Sequence, residues 1–261
     1  MKLLVTVSET AEADDEFEID GLSIDDRYLT FDLNEWDNYA IEEAVQVSES
    51  NDDVEVVTVT VGPERTEETI RQGLAKGADR AIRVWDDDLA DVGLLDSGTK
   101  ARLIAAVAQE EEPDLILSGV QSGDMAFAAT GVALAADLGY EWGAVVNELD
   151  LDAENGVAHV HRELEGGVVE LTDVELPAVL TIQTGINEPR YASLRGIRQA
   201  QTKPLDVTTP DELGVTLGES ALSLTSLAEP ETESDVEFFE GGADDTAGKL
   251  ATLLRDKGVD A

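Results

Sequence analysis

Residues 54–85 read VEVVTVTVGPERTEETIRQGLAKGADRAIRVW. The run at 54–61 is β-branched and apolar, Gly62-Pro63 breaks it, and Ile70 and Leu74 then stand four apart on one face of a helix expected over 66–76. Gly77 is placed to cap that helix, and a second apolar strand is expected at 80–85. A strand, a helix and a strand in about 30 residues form a βαβ unit, whose two strands must run parallel. Outward from it, apolar runs at 2–7 and 114–118 supply further strands. Ile41, Ala44 and Val45, and then Leu103, Ile104 and Val107, supply helical stripes between them. The pattern predicts an α/β fold with a mostly parallel, doubly wound, Rossmann-like sheet. From 142 to 183 the chain alternates in the manner of half-buried strands, with Asn155-Gly156 and Gly166-Gly167 as hairpin signals, so antiparallel strands are expected to join the sheet. Beyond 204 come Pro210, Pro230, an acidic stretch at 229–240 and a short helical pattern at 247–257. The expected division is an α/β domain at 1–204 and a C-terminal arm at 205–261.

Fifty-eight acids against seventeen lysines and arginines give a formal net charge of -41. A charge of this size strains a compact state by self-repulsion in dilute salt. The acids are spread along the chain, which predicts a surface suited to molar salt, where the Debye length falls to about 3 Å. The same negative field argues against nucleic acid and anionic membrane as partners. With no cysteine, the chain excludes disulfides, thiolate chemistry and cysteine-ligated iron–sulfur clusters. The apolar run at the start is too short for a signal peptide or a membrane span, so a cytoplasmic location without membrane insertion is expected.

In an open parallel sheet, ligands bind beyond the carboxyl ends of the strands. Three loops qualify: the one leaving Val7, the one at Val61-Gly62-Pro63, and Gly119-Val120-Gln121-Ser122-Gly123-Asp124, which leads toward a helix expected over 125–138. Small residues in and after the third loop, Gly119, Gly123, Ala128, Ala129 and Thr130, would let backbone N–H groups approach a phosphate. Ordinary strand-to-helix packing would use the same residues. The G-x-G-x-x-G fingerprint is absent, and 242–249 misses a Walker A motif because Ala243 stands at its first glycine. His159 and His161 have no obvious further ligands, so no metal site is expected, and no G-x-S-x-G nucleophile motif occurs. The segment 185–203, GINEPRYASLRGIRQAQTK, carries Arg190, Arg195, Arg198 and Lys203 against Glu188 alone. Arginines and Tyr191 beside Leu194 and Ile197 have the makeup of a partner-binding loop at about 183–203.

The run VHRELEGGVVELTDVELPAVLTIQTGINEPRYASL at 160–194 closely resembles the signature region of electron transfer flavoprotein beta subunits. Arg162, Glu165, Gly166, Gly167, Glu170, Pro177 and Thr181 stand in the pattern, with Thr172 in place of an aliphatic residue. Ala40-Ile-Glu-Glu-Ala-Val, Glu68-Thr-Ile-Arg and Lys76-Gly-Ala-Asp-Arg extend the likeness over about 1–215. The resemblance implies an adenine-nucleotide-binding fold paired with an alpha subunit that holds most of an FAD. Electrons would come from acyl-CoA or other flavin dehydrogenases, as in fatty acid beta-oxidation, and leave to a membrane quinone oxidoreductase. Catalytic residues are not expected in this chain, since the flavin supplies the chemistry. It also implies AMP in the beta subunit, or a second FAD in a bifurcating member that uses NADH. By position, that nucleotide would meet Thr6, Asn34, Val61, and Gly119, Gln121, Gly123, Asp124, Ala128, Ala129 and Thr130. Ala126 and Phe127 replace the polar pair common in relatives. The likeness makes 183–203 a recognition loop in which Asn187, Glu188, Pro189, Arg190, Tyr191, Leu194 and Ile197 serve partner dehydrogenases. It places Glu163 at the alpha subunit's flavin domain and docks the arm on that subunit. With the charge, it suggests a halophilic archaeal source. A universal-stress-like nucleotide-binding regulator is the competing reading, against which the 187–191 string and the β-rich insertion both count.

Overall fold

The computed structural model describes residues 1–229 and 238–258. In β1 (Lys2–Thr6), Leu3 and Val5 pack on one face of the sheet and Leu4 on the other, all without solvent exposure. A strand covered on both faces reads as a continuous apolar run, and this is why the run at 2–7 was legible. The chain next makes an excursion of short antiparallel pieces, β2 (Glu9–Ala13), β3 (Ile19–Asp20), β4 (Ser23–Ile24) and β5 (Leu29–Leu33), with β2 pairing β5 and β3 pairing β4. Arg65 staples this excursion down: its guanidinium lies 3.8 Å from the Phe31 ring and 2.6 Å from Glu9 Oε1. Helix α1 (Glu35–Ser50), β6 (Glu55–Val61), α2 (Glu67–Lys76) and β7 (Arg80–Val84) complete two parallel crossovers. After α3 (Asp87–Val92) and α4 (Ser97–Glu111), β8 (Leu115–Gly119) pairs on the opposite side of β1.

Helix α5 (Thr130–Leu138) leads to β9 (Glu141–Asp152), β10 (Val157–Leu164), β11 (Val168–Glu175) and β12 (Ala178–Ile182). Helix α6 (Leu194–Ala200), β13 (Leu205–Thr208) and α7 (Ala243–Asp256) follow. The main sheet runs β11-β10-β9-β12-β8-β1-β6-β7-β13, parallel from β9 to β13, with β10 and β11 added antiparallel at one edge. Residues of α1, α2 and α6 pack on one face, and those of α3, α4 and α5 on the other. The fold is the α/β, doubly wound arrangement that the periodicity predicted. At the amino-terminal rim, Arg80 grips the carboxylate of Glu111 with two guanidinium nitrogens, and Lys2 Nζ joins it at 2.8 Å. Arg80 first, then Lys2, hold Glu111 down to about 2 against the opposing effect of burial.

The structure departs from the sequence reading at four places. Residues 9–33 hold strands too short, and too polar in β2, to show an alternating pattern. Beyond 204 the chain does not leave the sheet, because β13 pairs with β7; the first compact unit is Met1–Ser226 and the second is Leu227–Ala261. The last helix begins at Ala243, four residues before the stripe that suggested it, and residues 230–237 of the acidic stretch lie outside the described residues. The helix expected over 125–138 starts at Thr130. Met125 to Ala129 are good helix formers by composition, yet Ala126 and Ala128 sit at φ 51° and 50°, the left-handed region that no helix continues through. Among the described residues, no helix is long and apolar enough to cross a membrane.

Three of the signature residues at 162–181 share a structural task. Opposite β12, strand β9 carries a bulge with Val145 at φ 62°, and its register shifts again opposite β10. Arg162 Nε donates to the Ala144 carbonyl at 2.6 Å, its Nη1 donates to Glu170 Oε1 at 2.7 Å, and the Val145 N–H donates to Thr181 Oγ1 at 2.9 Å. Three of the residues that carried the resemblance thus pin one irregularity, as bulges that re-aim a strand require. Gly166 and Gly167, at φ 79° and 73°, make the turn from β10 to β11 that a side chain would strain.

Candidate functional site

Crossovers move outward from β1 through β6 to β7, then jump back to β8, so strand order reverses between β1 and β8. Loops leaving the carboxyl ends of the two strands diverge there and open a cleft. Helix α1 points its first turn into the gap and ties the loops together. Asn34, 1% exposed, donates from Nδ2 to the Gln121 carbonyl at 2.9 Å and accepts the Gly123 N–H at 3.3 Å. Asp37 accepts from the Ser8 N–H at 2.8 Å and the Ser8 hydroxyl at 2.5 Å through Oδ2, and from the Gly119 N–H at 3.0 Å through Oδ1. Burial pushes the Asp37 carboxyl up, and the bonds from Ser8 and Gly119 oppose that shift. Thr6 donates to Ser118 Oγ at 2.9 Å, joining β1 to β8 at the floor.

Thr6, Asn34, Val61, Gly119, Gln121, Ala128, Ala129 and Thr130 all line this one cleft. Residues 87 and more positions apart in sequence are brought together by the reversal of strand order. Gly123 and Asp124, in the same loop, are exposed and are not among the residues that line the cleft. The Gly123 N–H is committed to Asn34, and a Cβ built there would meet nothing within 4 Å. The glycine that close packing demands is Gly119, where a Cβ would lie 2.6 Å from both Trp36 Cβ and Asp37 Oδ1. Sequence reasoning missed Asp37, Ser8, Ser97 and Lys100. An acid in the first turn of α1, buried where a surface acid would face water, was the one signal available for Asp37, and only the fold reveals that burial. His159 and His161 each face an acid of their own, Asp173 at 2.6 Å and Glu148 at 2.7 Å, and no metal-holding cluster occurs among the described residues.

The segment 187–197 divides into an anchor and a presented tip. Asn187 Nδ2 donates to the Tyr39 carbonyl and to Glu43. Arg190 binds Glu42 through its N–H and Nε at 3.0 and 2.9 Å and Glu49 through Nη1 at 2.6 Å, while Lys76 donates to the Arg190 carbonyl at 2.5 Å. Burial alone would raise the Glu42 carboxyl, but Arg190 and Gln46 outweigh it and hold it below the usual range. Asn187 and Arg190, expected to face a partner, are therefore turned onto α1; the acid surplus around them offers carboxylates that their side chains reach. Tyr191 at 99%, Leu194 at 76% and Ile197 at 46% exposure project outward instead. Ser193 Oγ accepts the Gly196 N–H at 3.0 Å, fixing the start of α6 beneath Leu194. Glu188 and Glu163 are exposed and Pro189 is half-buried.

The model of the electron transfer flavoprotein domain family matches residues 21–213. The chain is 42% identical over 264 residues to the electron transfer flavoprotein subunit beta of Methylophilus methylotrophus, covering 98% of each chain. It is 34% identical over 232 residues to the mitochondrial beta subunit of Arabidopsis thaliana, covering 88% of this chain and 90% of the relative. The beta subunit of Homo sapiens is 38% identical over 198 residues, 76% of each.

Proposed function

The chain belongs to the electron transfer flavoprotein family as a beta subunit, and we propose that it works as half of a heterodimer, carrying AMP in the cleft between β1 and β8 while an alpha subunit holds the FAD. The observation that carries this reading is the cleft itself. It sits at the reversal of strand order, its loops are braced by Asn34 and Asp37, and the amino end of α5 at Thr130 opens onto it. Such a helix end presents unpaired N–H groups to an anion. Phe127 and Met125 lend apolar surface beside it, suited to a base. A pure nucleotide-binding regulator would share the cleft, but family membership favours the redox carrier. Release of cofactors from the purified heterodimer tests the assignment: one FAD and one AMP are expected. Two FAD would replace AMP with a second flavin and favour a bifurcating, NADH-using complex, and FAD alone with no second nucleotide would overturn the site.

Electrons are proposed to enter from acyl-CoA or other flavin dehydrogenases and leave to a membrane quinone oxidoreductase, with the whole assembly cytoplasmic and adapted to high salt. Leu194 is the proposed dehydrogenase anchor, steadied by the Arg190 and Asn187 contacts below it. Leu194→Ala is expected to raise the apparent Michaelis constant for the flavoprotein about 30-fold, the size of a lost hot spot of about 2 kcal/mol. Exposure at 76% means that truncation leaves no internal cavity, so flavin content and thermal midpoint should hold. Coupled reduction at the original Michaelis constant would remove the anchor role. The arm is proposed to dock on the alpha subunit through α7, where Leu250 and Leu254 stand one turn apart and about half exposed.

A further inference from the structure

We propose that Lys100 supplies the side-chain charge that holds the phosphate of the nucleotide in the cleft; the inference rests on the nucleotide assignment above and names the group that makes it selective. Lys100 is the cationic side chain among the cleft-lining residues. It stands in the first turns of α4, whose Leu103 and Ile104 share a core with Leu134 and Ala135 of α5. Lys100 and the amino end of α5 at Thr130 thus line the same cleft.

Among the described residues, four of the other five lysines have a partner for the side chain. Lys2 binds Glu111, Lys76 the Arg190 carbonyl, Lys203 the carbonyls of Leu74 and Ala78, and Lys249 binds Asp245. Lys100 Nζ has neither a carboxylate within 4.0 Å nor a hydrogen-bond acceptor among the described residues, although it lines a concave site. The nearest acid in sequence, Asp96, is consumed as the α4 cap, accepting from the Thr99 N–H and hydroxyl at 2.9 Å each and from the Ala221 N–H at 3.2 Å. Asp37, the carboxylate in the cleft lining, is satisfied by Ser8 and Gly119. An ammonium with three donors thus faces the cleft with its charge uncommitted.

Several backbone donors near the strand ends are already spent: the Ser8 and Gly119 N–H groups on Asp37, and the Gly123 N–H on Asn34. Those at the start of α5 remain, but they carry partial charge only. A phosphate entering a protein of net charge -41 meets repulsion that molar salt reduces to contact range, about 3 Å. At that range a direct ammonium contact outweighs any distant field, and charge-assisted bonds to phosphate are the strong ones.

The test uses the heterodimer with its FAD in place, after exchange of bound nucleotide, titrated in molar KCl with AMP and separately with adenosine. Wild type is expected to favour AMP over adenosine by about tenfold or more, the worth of a hydrogen-bonded charge. K100Q should lose that preference while adenosine affinity stays unchanged, and K100R should keep most of it. K100Q that binds AMP as wild type does would overturn the role of Lys100 and leave the nucleotide assignment standing. Equal losses for AMP and adenosine would also overturn it, marking Lys100 as part of the packing. Failure of wild type to bind either compound, with its flavin intact, would instead remove the nucleotide assignment.

Discussion

Between 0.1 M and 2 M KCl the thermal midpoint should rise by about 10 °C or more, the shift that several kcal/mol produce in a chain of this size. Even complete pairing of the seventeen cations with acids would leave 41 negative charges unopposed. Several of the cations are moreover committed where the fold needs them: Arg80 and Lys2 on Glu111, Arg190 on Glu42 and Glu49, Arg65 on Glu9. The remaining acids repel one another across the surface. Screening contracts from about 10 Å at 0.1 M to about 3 Å at 1 M, so neighbouring carboxylates on the same helix cease to interact at the upper concentration. Sucrose supplies the control, because it stabilises by exclusion from the surface without screening charge. A midpoint that is flat in KCl, or that sucrose raises as much, would remove charge repulsion as the limit on stability.

Gly119→Ala should cost about 2–3 kcal/mol of stability and release the nucleotide, as overpacking a dry contact does. The new methyl would be driven 2.6 Å from Trp36 Cβ and Asp37 Oδ1 and 2.9 Å from the Asp37 backbone nitrogen. None of these can yield cheaply, since the first turn of α1 is held by Ser8, Gln121 and Gly123 through Asp37 and Asn34. Moving α1 breaks the brace on two loops at once, the one after β1 and the one after β8. Gly123→Val is the contrast: its side chain enters open space, so stability should stay within about 0.5 kcal/mol, as for other unencumbered surface changes. Chemical denaturation and nucleotide content on the two variants separate the positions. A Gly119→Ala protein as stable and as fully loaded as wild type would show that the brace is dispensable.

Sequence alone determined the parallel sheet, because strands buried on both faces must be apolar at every position and helices covering them must repeat every three to four residues. Both patterns are local and survive in a one-dimensional reading. It also determined the beta-subunit resemblance, through residues such as Arg162, Glu170 and Thr181 that pin a bulge. Tertiary structure decided the rest. Helix-forming residues at 125–129 stay out of α5 because Ala126 and Ala128 turn the chain through left-handed conformations. The strand at 205–208 joins the sheet because β7 offers it an unpaired edge. Asn187 and Arg190 look like surface recognition residues in sequence and prove to be anchors, since carboxylates on α1 lie within their reach. Glycines at 119 and 123 are equivalent in the sequence pattern, yet only the first meets a helix turn. Lys100 was invisible among six lysines until the fold placed it beside the cleft. These outcomes depend on contacts between residues far apart in the chain, and such contacts leave no periodic trace in it.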